Sequence, residues 1–170
     1  MGDLPPVVYS TIGELIFMVI SNYEQFINEF SSKDYKKYFG ISKATVSAWK
    51  SNKFNIRKPY LILANMLYNS KVKVDTALSE MPIKTLEQFK KLKKELSSKD
   101  CLHPDIGVCS HNKICEYLGI SGRQTIRGWS TRKSEIPKVY LVLLNILFVY
   151  PAFFKEVFEI MNGYNKQEGN

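Results

Sequence analysis

Apolar positions recur at helical spacing through most of the chain. Thr11–Phe30 carries Leu15, Val19 and Phe26 among its apolar residues, behind a Ser10/Thr11 cap candidate, and predicts a helix. Lys84–Leu96 sets Leu86, Phe89, Leu92 and Leu96 on one face and its lysines elsewhere, bracketed by Pro82 and Ser97-Ser98. Pro59–Asn69 and Pro137–Val149 predict two more helices, each opened by a proline whose missing N–H costs nothing in a first turn. Phe153–Met161, after Pro151, closes the chain with another apolar-faced helix. No segment shows sustained period-two alternation, so no sheet is expected and the predicted class is all-α.

The pattern also repeats. Tyr38-Phe39-Gly40-Ile41-Ser42 recurs as Tyr117-Leu118-Gly119-Ile120-Ser121, an offset of 79. Thr45-Val46-Ser47-Ala48-Trp49 recurs as Thr125-Ile126-Arg127-Gly128-Trp129, an offset of 80 that then holds for Ile56/Ile136, Tyr60/Tyr140 and Asn65/Asn145. One inserted residue, Gly122, accounts for the shift. Both tryptophans occupy the same repeat position, where burial is the ordinary fate of so large an apolar ring. An internal duplication is expected: a first domain over residues 1–79, a second over 80–165, and a polar tail at 166–170.

Each repeat has the parts of a helix-turn-helix, two short helices joined by a tight turn. Gly40 and Gly119 are the turn glycines, able to take a positive φ cheaply. In the first unit Tyr35, Phe39, Ile41, Val46 and Trp49 point inward, and Ser42 caps the second helix. Ile114, Leu118, Ile120, Ile126 and Trp129 are their counterparts, with Cys115 as a small buried residue. Lys43, Ala44, Ser47 and Ala48 are left on the outer face of one unit, and Arg123, Gln124, Arg127 and Gly128 on that of the other.

Charge changes the picture from a fold to a partner. The formal net charge is +8, but residues 1–30 hold no Lys or Arg and carry −4, whereas residues 31–75 carry +8. The remaining 95 residues add +4, and a basic surface that belongs to particular segments is an electrostatic footprint for nucleic acid. The apolar run Leu15–Ile20 is too short to cross a bilayer, and no secretory signal is evident. Three cysteines do not suggest a disulfide framework, so a reducing cytoplasm is expected. Cys101, His103, Cys109, His111 and Cys115 cluster, but their one-residue gaps are not usual zinc spacing, and an ordinary loop with no metal or other cofactor is the expectation.

These patterns resemble the phage-repressor and Cro-like helix-turn-helix family over about residues 31–70 and 110–150. The resemblance implies a recognition helix in the major groove of double-stranded DNA. Carried onto this chain, the base readers are Arg123, Gln124 and Arg127 in the second unit and Lys43, Ala44 and Ser47 in the first. Arg pairs bidentately with guanine and Gln with adenine, each worth about 1–3 kcal/mol of discrimination, while Ala meets only a thymine methyl. Phosphate contacts fall to Lys33, Lys36, Lys37, Ser42, Lys50, Lys53, Arg57 and Lys58, and to Ser121, Thr131, Arg132 and Lys133. The second unit is therefore expected to read sequence and the first mainly to hold backbone. The extra residue near Gly122 either lengthens the second turn or moves the start of the recognition helix, which leaves Arg127 the best-placed reader.

The expected function is a prokaryotic, cytoplasmic and nucleoid-associated transcriptional regulator, with no enzymatic activity. The alternative is an antitoxin-like or adaptor module, binding a protein partner or a second copy through its apolar terminal helices. Enzymatic DNA processing finds no two-metal carboxylate constellation and no P-loop in the sequence. Single-strand RNA platforms on a sheet are likewise not indicated.

Overall fold

The N-terminal segment departs from its predicted helix. Gly13-Glu14 stands between Tyr9–Ile12 and Leu15–Ile20, runs rich in β-branched and aromatic residues, which is a hairpin signature that outweighs the helical spacing. In the computed structural model, which describes residues 9–12, 15–21, 23–52, 56–80, 111–121, 124–125, 128–129 and 136–168, these runs are strands. Tyr9–Ile12 (β1) and Leu15–Met18 (β2) pair antiparallel, Tyr9 opposite Met18 and Ile12 opposite Leu15. Ser10 and Thr11 therefore lie in a strand and cap nothing helical. The backbone of Ile20 is held by a side chain: its N–H donates to Asn65 Oδ1 at 2.8 Å and its carbonyl accepts from Asn65 Nδ2 at 2.9 Å. Helix begins only at Tyr23–Glu29 (α1), after Ser21 N–H has donated to Gln25 Oε1 at 2.9 Å.

From there the described residues are chiefly helical, and the class is all-α, with this ribbon the only strand pair among the described residues. Ser32–Asp34 (α2) opens on a capping box. Asp34 N–H donates to Ser31 Oγ, and Ser31 N–H returns a bond to the Asp34 carboxylate at 3.0 Å. The helix widens into a π turn over Tyr35–Phe39 and stops at Gly40, whose φ of 67° is left-handed. Ile41 N–H reaches back to the Tyr35 carbonyl at 3.2 Å. Lys43–Asn52 (α3) follows, its first turn capped by Ser42 Oγ accepting from Thr45 N–H at 3.1 Å. Lys58–Ser79 (α4) is broken at Ser70, where the predicted helix Pro59–Asn69 ends, and restarts with Ser70 Oγ accepting from Lys73 N–H.

His111–Tyr117 (α5) leads to Gly119, with φ of 65°, and Ile120 N–H closes on the Cys115 carbonyl at 2.8 Å. Gln124, Thr125, Gly128 and Trp129 are helical. Lys138–Val149 (α6) matches its prediction, and Pro151–Glu168 (α7) runs past Met161 into the segment expected as a polar tail. The predicted helix Lys84–Leu96 and the loop positions Cys101, His103 and Cys109 lie outside the described residues.

Both repeats contribute to one buried cluster. α4 and α6 form its most extensive helix pairing, and α7 packs on both. Ile62–Leu67 and Val142–Leu147, 80 positions apart, are buried without interruption in each helix. The second helix of each unit is pinned by its tryptophan: the Trp49 and Tyr60 rings are 5.2 Å apart, and Trp129 and Tyr140 are 4.9 Å apart. Trp129 is buried and Trp49 half-buried against the core. Phe26, fully buried among Phe30, Tyr35, Phe39 and Trp49, ties α1 to this platform. The equivalent asparagines differ: Asn65 has its backbone partners, whereas the Oδ1 of buried Asn145 has none.

Gly40 is doubly constrained. A Cβ there would sit 2.7 Å from Lys138 Cβ, on a backbone whose φ an L side chain rarely takes. Helical Gly128 has open space around its would-be Cβ. Gly40→Ala is expected to cost about 2 kcal/mol or more, and Gly128→Ala to add roughly 0.5–1 kcal/mol, in urea unfolding of the full chain. Equal effects from the two substitutions would contradict this packing.

Candidate nucleic-acid interface

α3 turns one face to the core and the other to water. Val46 is buried and Trp49 half-buried, while Lys43, Ala44, Ser47, Ala48 and Lys50 are exposed. The outward residues are those that helical spacing assigns to the outside. Ser42, at the start of the helix, is exposed as well. In the second unit Ser121, Gln124 and Thr125 are exposed, and Trp129 faces inward. Arg123, Arg127, Lys53, Thr131, Arg132 and Lys133 lie outside the described residues.

The carboxylates of residues 31–75 are already engaged. Asp34 accepts from Lys71 at 2.9 Å, and Asp75 from Lys37 at 2.6 Å and from the Tyr38 hydroxyl at 2.7 Å. These pairs are partly exposed and individually weak, but they strap the end of α4 to α2 and to the π turn. They also leave no carboxylate of this segment to offset Lys43 and Lys50 beside it. Lys37 differs from the sequence expectation, since its ammonium is committed within the chain. The hydrogen bonds it donates to Asp75 and Tyr38 raise its pKa, which keeps it charged. Lys33, Lys36, Arg57 and Lys58 are exposed.

Lys58 and Lys138 occupy equivalent first positions of α4 and α6. The Lys58 stem lies against Gly119 and its ammonium 5.7 Å from the Phe158 ring. Lys138 donates to the Lys36 carbonyl at 3.2 Å, a cation placed at a helix C-terminus. Sequence reasoning passed over Lys138, although its offset of 80 from Lys58 was the signal that could have found it. It likewise passed over the Ser31/Asp34 capping box that orients α2.

Tyr60 and Tyr140 lie at the joint between the units. Burial raises the pKa of both phenols. The Tyr60 phenol adds to the rise at Tyr140, and Arg57 opposes it at both. Among the described residues no group of three or more His, Cys, Asp or Glu is placed to hold a metal ion. No single helix among them is long and apolar enough to cross a membrane.

Fold and face together define an all-α protein that presents a capped, cationic helix after a left-handed glycine turn. Comparison with protein-family models, curated proteins and solved structures finds no match to the chain.

Burial alone would raise the Asp34 pKa. The Ser31 hydroxyl and amide and the Lys71 ammonium outweigh it and hold the carboxyl at about 2, against an ordinary 3.8. A depressed folded-state pKa gives stability that is present above the ordinary value and lost as the pH falls through the folded one. The difference in melting temperature between the wild type and Asp34→Asn should be largest above about pH 4 and shrink towards pH 2. A constant difference across that window would mean that the capping box does not depend on the charge.

Proposed function

We propose that this chain is a sequence-specific regulator that binds double-stranded DNA, with α3 and the segment that holds the helical residues Gln124, Thr125, Gly128 and Trp129 as unlike recognition elements. The observation that carries the reading is α3 itself. A helix anchored by Val46 and Trp49 and capped by Ser42 offers Lys43, Ala44, Ser47 and Lys50 to solvent. Its size suits a major groove and its charge suits phosphate. The likeness to a helix-turn-helix repressor and the tandem duplication belong to the same proposal. Supporting them are two left-handed glycines followed by Ile-Ser, two Trp–Tyr clamps 80 residues apart, and matching buried runs in α4 and α6.

The units divide the work unequally. Arg123, Gln124 and Arg127 supply donors and an acceptor for base edges, whereas Lys43, Ala44 and Ser47 with Lys50 favour backbone contact. The adaptor reading draws no support from α7, because Phe154, Val157, Phe158 and Met161 are buried in the chain's own core.

Selection of binding sites from random duplexes at fixed salt tests the proposal. Arg127→Ala should relax sequence preference. Lys50→Ala should weaken all sites alike and lower the salt slope by about one unit for a lost phosphate contact. Equal, sequence-independent losses from both would sink the division of labour, and no retained duplex would sink the function.

A further inference from the structure

A chain with two similar units joins them either head to tail or about a two-fold axis. The two arrangements leave different contacts. Head-to-tail joining is one-way, so the surface one unit uses towards its neighbour is not the surface the neighbour uses in return. Two-fold joining is reciprocal: residue i of one unit meets j of the other, and j of the first meets i of the second.

The contacts here are reciprocal. Gly40 of the first unit lies against Lys138, the first residue of α6 in the second; its would-be Cβ stands 2.7 Å from Lys138 Cβ. Gly119 of the second unit lies against Lys58, the first residue of α4 in the first; its would-be Cβ stands 3.1 Å from Lys58 Cβ. Gly40 and Gly119 are repeat equivalents, and so are Lys58 and Lys138. Each turn glycine therefore sits on the opening turn of the other unit's long helix. The glycines serve a second purpose at this joint, since a side chain on either would push the units apart.

The centre of the joint has the same character. α4 and α6, equivalent helices, pack chiefly on each other. Tyr60 and Tyr140, equivalent residues, are electrostatic neighbours, and Arg57 acts on both. Equivalent residues meet each other only close to a two-fold axis; in a translational repeat they stay one full repeat apart.

From this we infer that one chain is an internal pseudo-dimer, whose two recognition helices engage two unlike DNA half-sites in inverted orientation, across a single dyad. The inference rests on the DNA-binding reading and adds to it the polarity of the target. The units repeat in sequence as a direct tandem, but the site they read is not a direct repeat. An imperfect inverted repeat, with halves about one helical turn apart, is the substrate such a protein fits.

Hydroxyl-radical footprinting of the full chain on its best selected duplex is the test, with light scattering to count chains per duplex. It suits a first unit that holds mainly phosphates, because protection does not depend on base reading. The expected result is one chain per duplex. Protections on one strand should superimpose on those of the other when reversed about one point, and Lys50→Ala should erase only one side of that point. Protections repeated in the same direction along one strand would overturn the inverted arrangement while leaving DNA binding intact. A single protected half, or two chains on one site, would overturn it equally. Absence of any selected duplex would overturn the DNA-binding reading and this inference with it.

Discussion

The structure depends on one close approach, made twice. A glycine in the left-handed region ends the first helix of each unit and lets the other unit's long helix begin against it. No side chain fits at either contact without displacing backbone or Cβ atoms. Because the turn that carries each second helix is also the surface that meets the other unit, turn geometry and unit orientation are set together. The outward face of α3 is thus positioned by packing on its inner side and by a joint at its leading end.

The polar groups are arranged to keep that frame rigid without crowding the outer face. Asp34 caps α2 and receives Lys71, while Asp75 takes Lys37 and the Tyr38 hydroxyl. The tyrosine at 35 donates to the Ile27 carbonyl at 2.9 Å and so fixes the end of α1 to the π turn. Asp34 and Asp75 are consumed in holding α2 and the π turn to α4, and Lys43 and Lys50 stay exposed on α3 itself. A long-range field for a polyanion follows from where the carboxylates are spent as much as from the number of lysines.

Much of this was legible in the sequence, and the reasons for the rest are physical. The glycine turns, the cap at Ser42, the inward Val46 and the prolines opening α4 and α6 each follow from a local rule, and tertiary context reinforces each one. The hairpin of β1 and β2 was hidden because Leu15, Val19 and Phe26 satisfy a helical period by coincidence. What decides there is Asn65, 45 residues away, which takes both backbone groups of Ile20. The loss of Lys37 to Asp75 was equally non-local, since 38 residues and a helix break at Ser70 separate them. The reciprocal joint could not be read from the repeat, because a direct sequence repeat is compatible with either orientation of its copies.

The proposed DNA recognition runs through one surface, and amide chemical shifts report it directly. A ¹⁵N-labelled chain titrated with its selected duplex should show its largest changes over residues 42–51 and 121–129. The amides of α7 and of residues 71–79 should stay near their starting positions. Changes concentrated in α7, or spread evenly over every exposed lysine, would contradict the claim that these two helices form the DNA-reading face.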